Sequence, residues 1–189
     1  MFKLFLLAII FWFSTGFFPT KGFNFEDKIL RKELNKLSGV ENPDWKEMAV
    51  PELLQSENPV QGKFLTLMNQ NNELQKYVYV GRVNGCREGG CSGPTETMNI
   101  DTPEFFDYLI VFDSKLAVQQ VKIYNYQATH GQEVTNKGWL KQFQGYDGKR
   151  SLTVGKSIDG ISGATVSVYG ITDDIQQKTR LIKKIVQGD

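Results

Sequence analysis

The chain of 189 residues is long enough for one domain with a buried core, and it is short for a protein of two domains. Its residues are 40% hydrophobic and 23% charged, which is typical of a folded protein and excludes a disordered tail. The formal net charge of +1 gives no overall field that would recruit nucleic acid or an anionic membrane surface, so we expect no nucleic-acid partner.

The N-terminal segment differs in composition from the rest of the chain. Lys3 precedes an apolar run over residues 4–18, which only three small or polar residues interrupt. This run has the length of the hydrophobic region of a secretory signal and falls short of the roughly 20 residues that span a bilayer. A core helix is the alternative, but the run has no polar stripe. We therefore expect residues 1–22 to be a signal peptide or N-terminal anchor of an exported protein, periplasmic or extracytoplasmic, soluble or membrane-anchored.

Hydrophobic periodicity then predicts one helix and four strands. Apolar residues recur at helical spacing over 25–37, and Gly39 ends this pattern. Runs rich in β-branched and aromatic residues predict four strands, over 63–68, 74–83, 105–112 and 116–126. The polar segment 113–115 has the length of a hairpin turn between the last two strands.

Both cysteines, Cys86 and Cys91, lie in the short segment NGCREGGCS. An even count in an exported chain favours a disulfide, and two glycines among the four intervening residues allow a small ring. A redox-active dithiol is the alternative, and the spacing does not separate the two. A zinc site would need two further ligands, and the chain has a single histidine, so we expect no metal site.

Two helices are predicted in the C-terminal part. Residues 137–145 resemble a short amphipathic helix whose inward side chains are Trp139, Leu140 and Phe143. The final helix has an apolar face formed by Ile171, Ile175, Ile182 and Ile185. Thr172, with Asp173 and Asp174, is the predicted N-cap of this helix. Because strands and helices mix without regular alternation, we predict a single α+β domain with an antiparallel sheet and flanking helices.

The segment DGISGATVS, over 159–167, places glycines and three hydroxyl residues ahead of the predicted final helix. Such a segment can be a simple turn with capping hydroxyls, or a glycine-rich loop whose backbone N–H groups bind phosphate. The Walker pattern and the GxGxxG pattern are both absent, which disfavours those two kinds of nucleotide site. The residues alone leave the turn and the phosphate loop open.

DGISGAT, over 159–165, resembles the flavinylation motif of the FMN-binding domain family. That family includes the covalent-flavin subunits of the sodium-pumping NADH:quinone reductase and of the Rnf electron-transport complex. Its motif is an aspartate and small residues, then Ser/Thr-Gly-Ala-Thr, often with a hydroxyl residue two places on. The resemblance implies cofactor-binding residues in this chain: Asp159, Gly160, Ser162, Gly163, Ala164, Thr165, Ser167 and His130.

A weaker resemblance extends over residues 75–186 and includes the segment YNYQATHGQEVTNKGWLKQFQG. We therefore predict an FMN-binding domain over 75–189, preceded by a helical and loop region over 23–74. The Glu-Thr-Pro-Gly-Leu-Gly loop of the respiratory subunits, which helps enclose their flavin, is replaced here by THGQEV over 129–134.

The resemblance also implies a covalent cofactor and a partner enzyme. In the family, a flavin transferase that uses FAD and magnesium attaches FMN through a phosphoester to the last threonine of the motif. That residue is Thr165 here, with Ser167 as the rival acceptor, and Asp159 would be recognised by the transferase.

The family resemblance implies an electron carrier that exchanges electrons with redox partners, such as membrane electron-transfer proteins, rather than a stand-alone enzyme. We expect no catalytic residues of its own. Two alternatives remain open. One is a module that binds flavin or another phosphate ligand non-covalently, and the other is a small flavin reductase.

Overall fold

The computed structural model describes residues 28–39, 43–57, 61–68, 74–85 and 104–188. The predicted export segment and the cysteines Cys86 and Cys91 lie outside these residues, so both remain predictions. Within the described ranges, no helix combines the length and the apolar character needed to cross a membrane.

The described strands form one antiparallel sheet in the order β1-β2-β3-β4-β5. Their bounds are β1 Asp44–Glu47, β2 Gly62–Met68, β3 Leu74–Asn84, β4 Phe105–Phe112 and β5 Val118–Tyr126. The four predicted strands are confirmed to within two residues at either end. Sequence patterns do not indicate β1, because a polar four-residue strand carries too little hydrophobic alternation.

The described helices lie on both faces of this sheet. They are α1 Lys28–Ser38, α2 Glu52–Glu57, α3 Lys137–Leu140 and α4 Thr165–Gln187, with short 3₁₀ turns at Gln132–Thr135 and Lys141–Phe143. Leu30 and Leu34 of α1 pack on one face of the sheet, and α4 belongs to the larger core on the other. The predicted α+β domain is therefore confirmed, and so is the inward packing of Trp139, Leu140 and Phe143.

The predicted start of the final helix is wrong. The helix α4 begins at Thr165, and Thr172 is 1% exposed and donates its hydroxyl to the Val168 carbonyl inside the helix, over 2.6 Å. Neither it nor the two aspartates after it caps a helix end. Gly170 lies inside α4 and allows the helix to pack closely against β3, because a Cβ at this position would come within 2.9 Å of Val83.

A buried polar cluster holds α4 on the sheet. Lys178 is 1% exposed, and its Nζ lies 3.1 Å from Asp174 Oδ1. Tyr108 of β4 donates its hydroxyl to Asp174 Oδ2 over 2.5 Å. Burial and the nearby Asp174 carboxylate raise the pKa of Tyr108 well above its ordinary value, so the phenol stays a proton donor. Because these groups stand at fixed positions on helix and strand, they set the register of α4.

We expect Asp174→Ala to lower the free energy of unfolding by about 3 kcal/mol, because it removes the carboxylate that pairs with a buried ammonium and accepts from Tyr108. Urea titration followed by circular dichroism measures this loss. The matched control is Asp173→Ala, an exposed neighbour, which should change stability by no more than about 0.5 kcal/mol. Equal stabilities of the two variants would show that the cluster does not hold the helix.

Candidate functional site

The motif segment is a surface turn that runs directly into α4. Its side chains at Asp159, Ser162 and Thr165 are exposed, and Thr165 is the first residue of the helix. Gly163 has a φ of +80°, a conformation that strongly favours glycine. Ala164 is buried and occupies the N-cap position. The turn therefore presents a hydroxyl at the very start of a long helix.

Within the described part of the chain, no side chain occupies the amide groups at the N-terminus of α4. No side chain caps it, no residue of its first turn is acidic, and the Val168 amide is the donor that reaches the Ala164 carbonyl, over 2.9 Å. The amides of the three residues before Val168 therefore carry the positive end of the helix dipole. This arrangement suits a phosphate group, so the residues present fit the phosphate of an FMN ester at Thr165.

The 129–134 loop lies directly against this helix start. The hydroxyl of Tyr126 donates to the His130 carbonyl over 2.5 Å and lies 3.5 Å from Ser167 Oγ. Gly131 has a φ of +85°, and a Cβ there would approach Ser167 Oγ to 2.9 Å and Ala164 Cα to 3.3 Å. The structure thus brings together the two segments that the sequence resemblance assigned to one site.

Tyr126 fastens the loop from the end of β5. Its ring stacks on Phe106 with centroids 5.5 Å apart and planes 10° apart. Burial raises its pKa, a hydrogen bond with Ser167 lowers it, and the charges of Glu133 and Glu104 raise it further, with a raised value as the net result. The phenol therefore remains protonated and continues to donate to the loop. Tyr126 lies in the segment of the weaker resemblance, but no sequence pattern assigned it a role in the site.

The side chain of His130 is exposed and belongs to a short network of hydrogen-bonded polar side chains. Its Nδ1 lies 3.1 Å from Thr129 Oγ1, and the Thr129 hydroxyl donates to Glu104 Oε1 over 2.9 Å. The Thr129 amide also donates to Glu104, over 3.2 Å. Glu104 stands just before β4 and fixes the first residue of the loop, a role that no local sequence signal reveals.

The other side of the motif is held by α3 and the 3₁₀ turn after it. Trp139 donates its indole N–H to the Asp159 carbonyl, and the Asp159 amide donates to Gln142 Oε1, each over 2.8 Å. Both contacts use the backbone of Asp159, so its carboxylate stays exposed. Trp139 and Gln142 belong to the Trp-Leu-x-Gln-Phe segment of the resemblance, which was the available signal for their role.

The two candidate acceptor hydroxyls differ sharply in access. Ser167 is fully buried beneath the loop, whereas Thr165 is exposed. A hydroxyl must enter the active site of a modifying enzyme to be esterified, and a buried one cannot do so without displacing the loop. Of the two hydroxyls, that of Thr165 is therefore the accessible one, and that of Ser167 lies 3.5 Å from the Tyr126 hydroxyl.

Residues 105–178 match the model described as the FMN-binding domain. This range runs from the first residue of β4 into α4 and contains the motif, the 129–134 loop and α3, so the suspected resemblance is confirmed. No curated protein and no solved structure matched the chain.

We expect Tyr126→Phe to loosen the 129–134 loop, because it removes the hydrogen bond to the His130 carbonyl. The loss of one such bond, worth about 1 kcal/mol, should speed amide exchange in the loop about fivefold. Hydrogen–deuterium exchange on the peptide that covers the loop measures this rate. Tyr169→Phe, at an exposed position on α4, is the control. Unchanged exchange in Tyr126→Phe would show that this contact does not fasten the loop.

Proposed function

Residues 105–178 match the FMN-binding domain, and from this match we propose that the chain is an exported electron-transfer protein carrying FMN as a phosphoester on Thr165. One observation above all supports the linkage: the exposed Thr165 hydroxyl stands at the uncapped N-terminus of α4. There the helix dipole and the first-turn amides favour a phosphate on the residue that would bear it.

Two groups of residues around Thr165 would hold the cofactor, one at its phosphate and one along the remainder of the molecule. First-turn amides would bind the phosphate, and the open backbone at Gly163 leaves room for it, since a Cβ there would meet nothing within 4 Å. The 129–134 loop, with His130 and Glu133 exposed, would flank the remainder of the molecule. When bound, FMN supplies a ring system that takes up and releases electrons, while the protein sets its orientation and exposure.

Attachment would require a partner enzyme, for which the motif is well presented. A threonine hydroxyl is a weak nucleophile unless a base or metal activates it, which a flavin transferase with FAD and magnesium would provide. Thr165 Oγ would bond to the FMN phosphorus as the pyrophosphate link of FAD breaks, with AMP and the hydroxyl proton leaving. The Asp159 carboxylate, exposed on a backbone held by Trp139 and Gln142, would be the recognition group.

A covalent cofactor also suits the proposed location. Outside the cytoplasmic membrane a freely dissociating flavin would be lost by diffusion, and an ester to the chain prevents this. Residues 1–22 would direct export, and redox partners at the membrane would donate and accept the electrons.

We expect Thr165→Ala to lose covalent FMN completely and to remain folded, because the altered side chain is exposed. The protein is produced with a flavin transferase, and its intact mass is measured after denaturation. Ser162→Ala and Ser167→Ala are the controls and should each keep the added mass of one FMN. A wild-type protein that is yellow when native but loses its flavin on denaturation would contradict the covalent linkage and favour non-covalent binding.

We expect Asp159→Ala to slow flavinylation about tenfold with no change in melting temperature, because it removes an exposed charged contact to the transferase worth about 1.5 kcal/mol. The rate is followed by mass spectrometry with purified transferase, FAD and magnesium. Asp173→Ala, an exposed acid outside the motif, should react at the wild-type rate. Equal rates for all three proteins would remove Asp159 from the recognition step.

A further inference from the structure

A groove of about 480 Å³ runs along β5 beside α3. Parts of α1, β3, β4, α3 and the following 3₁₀ turn complete its walls. Its volume is within the range of about 300–1,000 Å³ that small-molecule sites occupy. Neither the flavin motif nor the 129–134 loop before Thr135 contributes to it, so it is separate from the site described above.

The described lining of this groove is strongly basic. It contains four lysines and no carboxylate, the lysines being Lys76, Lys122, Lys137 and Lys141. We refer to it as the lysine groove. The charge of this lining therefore favours an anion over a cation.

Two of these lysines are already engaged within the fold. Lys76 Nζ donates to the Leu37 carbonyl at the end of α1, over 2.7 Å, and Lys122 forms an ion pair with Glu33. Burial raises the pKa of Glu33, but hydrogen bonds from Lys122 and Lys36 outweigh that effect and lower it. Glu33 is thus an anion that offsets the charge of Lys122.

Lys137 and Lys141 supply the charge that remains at the rim. They stand four residues apart on α3 and the turn after it, both are exposed, and neither forms an ion pair within the described residues. Two exposed ammonium groups beside one groove repel each other, and a bound carboxylate would relieve that repulsion.

The floor of the lysine groove is apolar. Val121 and Leu140 are 6% and 4% exposed and belong to the main core, and the partly buried Ile123 packs against it. A bare inorganic anion gains nothing from such a floor. A hydrocarbon chain would cover the half-buried Ile123 and the methylene stems of Lys137 and Lys141, and would gain about 25 cal/mol per Å² of apolar surface buried there. The combination of floor and rim fits a molecule that is apolar along its length and anionic at one end.

We propose that the lysine groove binds an amphipathic carboxylate of the fatty-acid type. Its hydrocarbon chain lies on Val121, Ile123 and Leu140, and its carboxylate lies between Lys137 and Lys141. The site is independent of the proposed flavin attachment, since α3 separates the two. Trp139 and Gln142 turn to the Asp159 backbone, whereas Leu140 and Lys141 line the groove.

Decanoate is the test ligand, titrated into the full-length protein by isothermal calorimetry at low ionic strength. We expect one site whose affinity falls as salt rises, with no binding of decyltrimethylammonium and much weaker binding of acetate. The double variant Lys137→Glu/Lys141→Glu should lose about tenfold or more in affinity. The control Lys115→Glu/Lys156→Glu makes the same change of net charge at exposed positions outside the groove and should bind like wild type.

Four results would overturn the proposal: no decanoate binding, equal binding by the two double variants, equal binding of the cationic amphiphile, or equal affinity for inorganic phosphate. Flavinylation at Thr165 is measured on the same proteins. It should be unchanged in Lys137→Glu/Lys141→Glu, and this second readout separates failure of the groove from failure of the flavin attachment.

Discussion

The docking of α4 on the sheet is the constraint on which the rest of the molecule depends. The helix lies so close to β3 that Gly170 leaves no space for a side chain beside Val83, and its register is set by Asp174 between Tyr108 and Lys178. A helix fixed at its middle has a fixed start. Thr165 and the first-turn amides are therefore presented at one defined place beside the end of β5.

Around that helix start, the motif is held by its backbone while its polar side chains stay exposed. Trp139 and Gln142 fix Asp159 through its carbonyl and amide, and Tyr126 fixes the neighbouring loop through the His130 carbonyl. Since none of these contacts uses the carboxylate of Asp159 or the hydroxyl of Thr165, both remain available to another protein. This division would suit the proposed flavinylation, in which the segment folds before a second protein reaches it.

The segment formed by α3 and its 3₁₀ turn divides the surface into two regions of different chemistry. Its indole and amide side chains meet the motif, whereas Leu140 and the two rim lysines meet the groove along β5. Amphipathic spacing over seven residues is enough to create both surfaces, because successive residues of a helix point in different directions. The motif and the lysine groove therefore lie on either side of this segment and share no residue.

The sequence by itself determined the α+β class, four of the five described strands, the inward side of α3 and the resemblance to the FMN-binding domain family. These features are local, since alternation, helical spacing and a short run of glycine and hydroxyl residues are visible within a few positions. Only the tertiary structure decided that α4 begins at Thr165 and that Thr172 is buried within it, because Thr172 and the two aspartates after it resemble an N-cap until the packing of the helix is known. Tertiary packing likewise buried Ser167 under Tyr126 and tied Glu104 to Thr129, since these partners stand 41 and 25 residues apart and no local pattern records such a pairing.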